Sequence, residues 1–576
     1  MENSTIARLL AETADLMEIA AEDPFRIRSY RNAATAVEGL TERLADIARD
    51  PAKKLTDIPG VGKGIAAVIE EILARGSFDR RDTLLETYPP TALELLKIKG
   101  LGPKSIALLI EHFRISTVDD LEKLCREEKL RELPRMGAKL EEKILRSIAH
   151  YRKSAGRFLL SFGCEMAREL AAYLMETDGV ERVTPAGSLR RGKETIGDLD
   201  LLVTGPAAGQ ALDRFARHPR ITELLGHGEN KASARVGIEG LQVDVRALPA
   251  ESAGAALQYF TGSKEHNVAL RQLALKKGYS LNEYGLYRVD NDERVAGATE
   301  EEIYDRLGLA WIPPELRENL GEIDAAAAGK LPRLVTLDDI RGDLHMHTTE
   351  SDGRATLEEM AAHARERGYG YIAITDHSKA LAMANGLDEE RVVRFARLVR
   401  AIGPDELGIR VFSGLECDVL RDGRLDIADE ALAELDLVTA SVHSYMNLEP
   451  AEMTDRLLRT IENPYVKIIG HPTGRLLLNR EAYAYDFERV AGAAARHGVC
   501  MEINASPERL DLQAALLRTA RALGVRFTIS TDAHHPKHLA NMQYGVLMAR
   551  RGWLSPGDIL NTLPADRFLE ALRPKP

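Results

Sequence analysis

Residues 187–200 read GSLRRGKETIGDLD, and the end of this stretch decides the fold of the middle of the chain. Asp198 and Asp200 open a short apolar run, Leu199–Val203, that predicts a β-strand. Residues two apart in a strand point to the same face of a sheet, so the two carboxylates are expected side by side. Two like charges this close need a cation between them unless one of them is protonated.

A third carboxylate comes from the predicted strand Leu241–Leu248, which contains Asp244. Three carboxylates around two oxygen-seeking ions are typical of Mg²⁺-dependent phosphoryl transfer, in which the metals stabilise the attacking and leaving oxygens. Ser188, Arg191 and the backbone near Gly197 are then expected to hold a triphosphate. Taken alone, the paired aspartates would by default be interpreted as an exposed motif on an edge strand.

A glycine-containing turn recurs in the helical N-terminal region, as IPGVGKGI from residue 58, IKGLGPKSI from residue 98 and LPRMGAK from residue 133. Such a turn between two helices exposes backbone N–H groups at the start of the second helix. Those groups can hold a DNA phosphate independently of base sequence. Lys63 and Lys104 adjoin the first two copies and favour this interpretation over a plain helix connection. The third copy has Arg135 in place of its first glycine and is expected to be structural.

Strand-like and helical stretches alternate from about residue 341 to the end of the chain. The strand-like stretches are GYIAITDH, IRVFSGLECDV, LDLVTASVH, VKIIGHP, VCMEIN and RFTISTDAH. This alternation predicts βαβ units and a parallel sheet. Because no topological break is visible, we expect a closed barrel of about seven units, with an open doubly wound sheet as the alternative.

Nine His, Asp and Glu residues follow the predicted strands of this C-terminal part, which holds most of the 15 histidines. They are His345, His347, Asp352, His377, Glu416, His443, His471, Asp532 and His534. A parallel barrel gathers residues from the carboxyl ends of its strands at one mouth. A single such histidine is more often a core or surface residue. Nine such residues at the same position relative to successive predicted strands, with no cysteine among them, predict a site for two or three Zn²⁺, Mn²⁺ or Fe²⁺ ions.

Composition excludes several classes of protein. The 576 residues are 44% hydrophobic and 29% charged, which is typical of globular domains and excludes a disordered or fibrous chain. No apolar run approaches the ~20 residues that span a bilayer, and four scattered cysteines exclude a disulfide framework. We therefore expect a cytoplasmic protein with no membrane partner. The net charge of −12 leaves nucleic-acid binding open, because carboxylates that hold metals also make a chain acidic.

The combination of GSLRRG, GDLD and VDVR with YFTGS at 259–263 resembles the DNA polymerase X family, and its polymerase beta type in particular, over residues 1–315. The resemblance implies that Asp198, Asp200 and Asp244 bind the catalytic Mg²⁺ or Mn²⁺ ions, and that Asp244 takes the primer 3′-hydroxyl proton. It further implies a set of nucleotide-binding residues: Gly187, Ser188, Arg191, Gly197, Tyr259, Phe260, Gly262 and Asn267.

The resemblance also implies contacts around the nascent base pair. Tyr259 and Phe260 would line the sugar pocket and disfavour ribonucleotides, while Asn267 and the DNA-binding Arg271 would face the minor groove. Lys264 departs from the family pattern, because the polymerase beta type has an acid at this position.

The N-terminal region resembles the helix-hairpin-helix and 5′-phosphate-binding domains of the same family. The resemblance implies DNA contacts at the first two turns: Gly60, Gly62, Lys63, Gly100, Gly102 and Lys104. A 5′-phosphate pocket is expected from Arg26, Arg28, Tyr30, Arg31 and Lys63, although arginines at helical spacing are more often simply solvated. Val68 stands where the family has its lyase lysine, and a valine cannot form a Schiff base.

The chain from about residue 340 onward resembles the polymerase and histidinol phosphatase (PHP) domain family, whose fold is a distorted (β/α)₇ barrel. All nine positions of that family's metal pattern are filled here. The resemblance implies metal-dependent phosphoester hydrolysis: a 3′–5′ exonuclease, with abasic-site cleavage or 3′-end cleaning as further options. Arg475 is expected either to hold a phosphate or to be an exposed arginine at the start of a helix.

The expected architecture is multidomain: an all-α helix-hairpin-helix region, an α/β (α+β) nucleotidyltransferase palm with a small thumb, and a PHP barrel. The expected boundaries are 1–90 and 91–155 for the two helical domains, 156–245 for the palm, 246–315 for the thumb, 316–340 for a linker and 341–576 for the barrel. This order resembles the bacterial and archaeal family X polymerases. It implies a monomeric repair polymerase that acts on gapped or primed DNA with dNTPs. One rival makes the barrel a metal-bound structural platform, and another makes the chain a DNA-binding scaffold.

Overall fold

The computed structural model describes residues 3–38, 40, 44–50, 53–89, 91–98, 100–134, 136–154, 156–237 and 239–572. The chain forms two compact units, residues 1–155 and 156–576. Arg135 of the third predicted turn lies outside the described residues. The finer domain boundaries stay predictions.

The first unit is helical in its described residues. Its helices are α1 (Asn3–Ile19), α2 (Pro24–Glu38), α3 (Leu44–Ile47), α4 (Lys63–Arg75), α5 (Asp79–Thr87), α6 (Ala92–Leu96), α7 (Pro103–Phe113), α8 (Val118–Arg126) and α9 (Ala138–Ser154). One apolar core lies under α1 to α5 and includes Leu10, Ile69 and Phe78. A second core, under α6 to α9, includes Leu121 and Ile144.

The three glycine-containing turns share one backbone pattern. In each, the residue three after the leading apolar residue donates back to it: Val61 to Ile58, Leu101 to Ile98 and Met136 to Leu133. Gly60 and Gly100 have φ values of +89° and +105°, which L side chains rarely adopt. The third turn therefore keeps the hydrogen-bond pattern of the other two.

A mixed five-stranded sheet forms the centre of the second unit, in the order β2-β4-β7-β6-β5. The elements of this region are β1 (Phe158–Leu159), α10 (Leu160–Met175), β2 (Arg182–Pro185), α11 (Gly187–Arg190), β3 (Thr195–Ile196), β4 (Asp198–Thr204), α12 (Ala208–Phe215), β5 (Ile221–His227), β6 (Lys231–Val236) and β7 (Leu241–Leu248). Strands β4 and β7 run parallel, and the other pairs in this sheet run antiparallel.

A small helical and antiparallel region follows the sheet. It contains α13 (Ala253–Thr261), α14 (Lys264–Lys276), β8 (Tyr279–Asn282), β9 (Gly285–Arg288), β10 (Arg294–Ala296), α15 (Glu300–Arg306) and α16 (Glu322–Ala327). The segment 316–340, predicted as a linker, packs here: Arg317 and Glu322 are fully buried. Arg317 pairs with Glu300 at 2.6 Å, and Glu322 contacts the ring of His266 at 2.6 Å. Buried polar groups need such partners, so this segment is part of the folded core.

Seven consecutive parallel strands form the C-terminal region. The strands are β11 (Gly342–Asp343), β12 (Tyr371–Ile374), β13 (Arg410–Asp418), β14 (Leu437–Ser441), β15 (Val466–Ile469), β16 (Cys500–Asn504) and β17 (Phe527–Ser530). The helices are α17 (Leu357–Glu366), α18 (Glu389–Ala401), α19 (Pro404–Leu407), α20 (Asp429–Leu432), α21 (Pro450–Glu462), α22 (Phe487–His497), α23 (Ala514–Ala522), α24 (Met542–Arg551) and α25 (Ala565–Leu572).

Residues beyond the first and last strands bring the two edges of this sheet together. Met346 and Ala533 form a parallel bridge, and the His347 amide donates to the Ala533 carbonyl at 2.8 Å. The predicted parallel barrel is therefore confirmed in nearly closed form, and the open sheet is wrong. Helix α17 is preceded by its N-cap Thr356, which forms a capping box with Glu359, a local signal that ends the loop carrying Asp352. Among the described residues, no helix is long and apolar enough to cross a membrane.

Candidate active sites

The three predicted carboxylates lie on neighbouring parallel strands. Asp200 of β4 is directly opposite Asp244 of β7, and Asp198 is opposite Gln242. Asp198 is exposed and Asp244 is 8% exposed, so the cluster runs from solvent into the sheet. The structure thus brings together the carboxylates that the sequence placed on two strands.

The two opposed carboxylates differ in their electrostatics. Burial, together with the charges of Asp198 and Asp244, raises the pKa of Asp200 to about 6. Burial also opposes charge on Asp244, but the hydrogen bonds of Lys231 and Ser233 outweigh it and lower that pKa. The Lys231 ammonium is 2.6 Å from Asp244 Oδ2. Like-charge crowding at Asp200 is the condition that a divalent cation relieves.

Gly187 is required by the approach of Asp200. A Cβ at this position would lie 2.8 Å from Asp200 Oδ2, and Gly187 has a φ of +62°. The Ala186 amide also donates to the Asp200 carbonyl at 2.9 Å. The GSLRRG segment is therefore packed directly against the carboxylate cluster, with Ser188 on the same short helix, α11.

Arg191, predicted to hold a triphosphate, is engaged inside the protein. Its Nε is 3.1 Å from Glu318 Oε1, and its Nη1 donates to the Thr261 carbonyl. Gly262 adjoins this contact with a φ of +66°, and a Cβ there would lie 3.1 Å from Arg191 Nη1. Arg191 is therefore held in place by Glu318 and by the end of α13.

The residues predicted around the base pair lie on α13 and α14. Asn267 is 9% exposed, and its side-chain amide accepts from Gln258 and donates to the Tyr259 carbonyl, each at 2.7 Å. Asn267 therefore fixes the end of α13. The rings of Tyr259 and Phe260 lie 5.1 Å apart between centroids. Arg271 is exposed one helical turn beyond Asn267.

The predicted DNA-binding residues of the first unit are exposed. Gly62 and Gly102 are the N-caps of α4 and α7, and Lys63 and Lys104 follow them on the surface. The free N–H groups at these helix starts favour a negative charge. The geometry is that of two anion-binding helix ends, each with an adjoining lysine.

The five residues predicted for a 5′-phosphate pocket do not share one environment. Tyr30 is buried and stacks on Phe78 at 6.0 Å between ring centroids, so it is a core residue. Arg31 is paired with Asp15 at 3.0 Å and with Glu18. The remaining three, Arg26, Arg28 and Lys63, are exposed. Val68, at the lyase position, packs against the core under α1 to α5.

The nine predicted barrel ligands gather around Glu416 at the carboxyl ends of the strands. Glu416 is buried, and its oxygens lie 2.8–3.6 Å from nitrogens of five imidazoles. Those imidazoles belong to His345, His347, His377, His443 and His471. The sequence placed these five histidines at four different strands and Glu416 at a fifth, and the barrel brings them into one cluster.

The remaining ligands complete the cluster from the loops. Asp532 Oδ1 is 3.2 Å from His347 Nε2, and Asp352 Oδ1 is 3.5 Å from His534 Nε2. Three overlapping groups in the cluster have ligand atoms close enough to share a metal ion. They are His347, Asp352, His377 and His534; His345, His347 and Asp532; and His377, Glu416 and His443.

The donor atoms of this cluster fit divalent metals. Several buried ligand atoms lie close to one another but make no hydrogen bond of acceptable geometry among the described residues; they include His345 Nε2, His347 Nδ1, His377 Nδ1 and Glu416 Oε2. Unpartnered buried polar atoms are costly, so they indicate a missing cationic partner. Burial, with the neighbouring His534 and His377, lowers the pKa of His347 to about 3, which keeps it a neutral nitrogen donor.

Comparison with known proteins finds family models for four separate parts of the chain. Family models match a helix-hairpin-helix domain over residues 1–78, a SAM-like helix-hairpin-helix tandem over 92–149, a DNA polymerase beta thumb over 256–318 and a PHP domain over 343–506. The DNA polymerase/3′-5′ exonuclease PolX of Bacillus subtilis is 36% identical over 562 residues, which cover 97% of each protein. The chain belongs to the PolX family. The predicted polymerase X and PHP resemblances are both confirmed.

The barrel of this PolX-family chain also has smaller relatives. A probable phosphatase of Syntrophotalea carbinolica is 31% identical over 231 residues, covering 38% of this chain and 90% of that protein. A probable phosphatase of Caldanaerobacter subterraneus is 34% identical over 206 residues, covering 33% of this chain and 75% of that protein. PolX-family polymerase and PHP domains imply the use of divalent metals.

Sequence reasoning missed the carboxylate that supports the PolX-family barrel ligands. Glu502, fully buried on β16, lies 2.7 Å from His345 Nδ1 and accepts from the His471 amide at 2.7 Å. Burial alone lowers the pKa of His345. The negative charges of Glu502, Glu416 and Asp532 outweigh burial and raise this pKa well above its usual range. A lone acid within the apolar run VCMEIN was the available signal.

Arg475 of this PolX-family chain fits neither expectation. It is 9% exposed, and its guanidinium donates to the carbonyls of Arg509 and Leu510. Its Nη2 is also 3.7 Å from Glu194 Oε1. Arg475 therefore ties the loop after β16 to the segment before β3, and it is not an exposed residue at the start of a helix.

Proposed function

We propose that this chain is a template-directed, gap-filling DNA polymerase of family X that acts in DNA repair and carries a metal-dependent 3′–5′ exonuclease in its barrel. The observation that supports it most is the occurrence of both complete ligand sets in one chain aligned end to end with PolX. The domain boundaries given above, with residues 316–340 packed beside the thumb instead of forming a linker, are part of this proposal, as are a monomeric state and a cytoplasmic location.

In the proposed polymerase site, Asp198, Asp200 and Asp244 hold Mg²⁺ or Mn²⁺. When bound, these ions supply charge stabilisation to the transferring phosphoryl group. Asp244 accepts the primer 3′-hydroxyl proton. Its pairing with Lys231 keeps Asp244 ionised, the form that binds metal and can accept a proton, and lowers the basicity of the carboxylate.

The surrounding residues of the polymerase site bind and orient the incoming dNTP. Ser188, Arg191 and the backbone at Gly187 and Gly197 hold the triphosphate. Tyr259 and Phe260 line the sugar pocket with Gly262 beside them, while Asn267 and Arg271 face the minor groove of the nascent base pair and the template. Gapped or primed DNA is held by the exposed glycine turns and lysines of the first unit, through phosphate contacts that do not depend on sequence.

In the proposed exonuclease site, the nine barrel residues hold two or three Zn²⁺, Mn²⁺ or Fe²⁺ ions. The bound ions supply a Lewis acid and an activated water for phosphodiester hydrolysis. The neutral imidazoles His347 and His471 donate nitrogen, whereas Glu416 and Asp532 supply negative charge in a buried, low-dielectric mouth. Glu502 orients the His345 ring through its Nδ1.

The test is digestion and extension of one labelled duplex with a recessed 3′ end. With Mn²⁺ and no dNTPs, we expect stepwise shortening from the 3′ end, and with dNTPs we expect template-directed extension. EDTA should stop both reactions. Metal-loaded protein that extends the primer but shortens no DNA end would favour the barrel as a structural platform.

A further inference from the structure

Tyr445 is an exposed aromatic residue at the edge of the metal-ligand cluster. Its side chain is 57% exposed, and its φ is +51°, an unusual conformation for a bulky residue. It follows His443 by two residues on the loop after β14. Two residues span at most about 7 Å, so the backbone of Tyr445 lies next to the barrel mouth.

A buried arginine fixes this loop in place. Arg456 of α21 is 2% exposed, and its guanidinium donates to carbonyls of two loops. The acceptors are Ser444 at 3.0 Å and Tyr445 at 3.4 Å on the loop after β14, and Leu420 at 2.8 Å with Val419 on the loop after β13. A strained residue persists only where its surroundings hold it, and Arg456 supplies that support.

A guanidinium group on the neighbouring loop lies near the Tyr445 ring. The Arg421 guanidinium lies 5.9 Å from the centroid of the Tyr445 ring, at the outer range of a cation–π contact. Arg421 is exposed and follows Asp418 by three residues; Asp418 Oδ2 in turn is 3.4 Å from His443 Nδ1. A solvent-facing aromatic ring and a guanidinium therefore border the ligand cluster on one side.

We propose that Tyr445 and Arg421 form a nucleobase-binding subsite that stacks the unpaired base of the 3′-terminal nucleotide while its phosphodiester lies over the metals. Exposed aromatic rings with neighbouring arginines bind single-stranded bases without regard to sequence, as an enzyme that removes any nucleotide requires. This inference rests on the proposed exonuclease function. The subsite would bind the terminal nucleotide after that nucleotide has separated from the duplex.

The test compares single-stranded DNA ending in a normal nucleotide with the same strand ending in a baseless tetrahydrofuran nucleotide. The readout is the ratio of the two kcat/KM values for Mn²⁺-dependent removal of the last nucleotide. Loss of one stacked base typically lowers binding about tenfold. We expect a ratio near 10 for the wild type and for Tyr445→Phe, and a ratio near 1 for Tyr445→Ala and Tyr445→Leu.

Leu523→Ala is the matched control, because Leu523 is a similarly exposed apolar residue at the opposite end of the barrel, in the turn before β17. It should keep the wild-type ratio, and thermal unfolding should show that each variant is folded. An unchanged ratio in Tyr445→Ala and Tyr445→Leu would overturn the subsite while leaving the exonuclease intact. Wild-type protein that hydrolyses bis(p-nitrophenyl) phosphate but no DNA end would overturn both proposals.

Discussion

Arg551, on the last long helix of the barrel, donates through Nη1 to the backbone carbonyl of Arg191 at 3.0 Å. The same Nη1 is 3.3 Å from Glu318 Oε1, the atom that Arg191 Nε contacts at 3.1 Å. Burial raises the pKa of Glu318, but Arg191, Lys193 and Arg551 outweigh it and lower that pKa. The barrel thus supplies a charge that steadies the segment predicted to hold the triphosphate.

Removing this charge should impair the polymerase and not the exonuclease. Arg551→Met keeps the apolar stem but loses hydrogen bonds of the charged kind, which are worth about 1.5–3 kcal/mol each. We expect the KM for dNTP in primer extension to rise about tenfold. Arg550→Met is the control, because Arg550 on the same helix contacts Glu315 and the Val335 carbonyl instead. Equal effects of the two substitutions would contradict a specific role for Arg551.

Metal activation of the polymerase should depend on pH through Asp200. Its raised pKa of about 6 means that protons compete with the metal below that value, because only the carboxylate is a ligand. The Mg²⁺ concentration for half-maximal extension should therefore rise on going from pH 7.5 to pH 5.5, by about threefold or more. Steady-state extension at fixed ionic strength measures this. An activation constant that is flat across the range would contradict the assignment.

Glu502 should control metal affinity in the barrel without being a ligand. Glu502→Gln keeps the shape of the side chain but weakens its hold on His345, and loss of such supporting contacts typically lowers metal affinity 10–100-fold. Metal titration of the apo-protein, followed by mass spectrometry of retained metal, measures the change. Glu508→Gln, on the exposed surface six residues later, should bind metal as the wild type does. Undiminished affinity in Glu502→Gln would be inconsistent with this role.

The first unit should show little deoxyribose-phosphate lyase activity. Val68 packs against the core and offers no amine, so no Schiff base forms at the family's lyase position. Borohydride trapping of the protein on a 5′-deoxyribose-phosphate end should give a weak adduct or none. Efficient trapping that Lys63→Arg removes would show instead that the exposed Lys63 performs the reaction.

Much of both sites followed from local patterns in the sequence. The i, i+2 spacing of Asp198 and Asp200 predicted that both side chains lie on one face of a strand. The barrel ligands were predicted from their positions just after successive strands. Both predictions depend only on residues that are neighbours in the sequence. The exposed strand β5 was not predicted, since its side chains point largely to solvent and leave no apolar alternation.

Contacts between distant segments could not be predicted. Glu318 meets Arg191 across 127 residues, and Arg475 finds carbonyls 34 and 35 residues away, through packing that no local period encodes. Lys231 likewise reaches Asp244 only because β6 and β7 pair in one register. The contacts of Arg191 and Arg475 also depend on residues far away in the sequence, so only the folded structure shows them.

The sheet and the barrel are expected to catalyse two separate metal-dependent reactions, and two variants assayed on one substrate separate them. Asp200→Asn removes one carboxylate of the sheet at nearly constant shape, and His345→Ala/His347→Ala removes two nitrogen ligands from the barrel. Because part of the barrel's stability can come from metal binding, thermal melting first establishes that the double variant is folded.

The deciding measurement is the length distribution of a labelled 3′-recessed primer after incubation with Mn²⁺, with and without dNTPs. We expect Asp200→Asn to shorten the primer at the wild-type rate but to fail to extend it. We expect folded His345→Ala/His347→Ala to extend the primer but not to shorten it. A folded double variant that shortens the primer as fast as the wild type, or an Asp200→Asn variant that still extends it, would show that the two reactions are not divided between the two sites in this way.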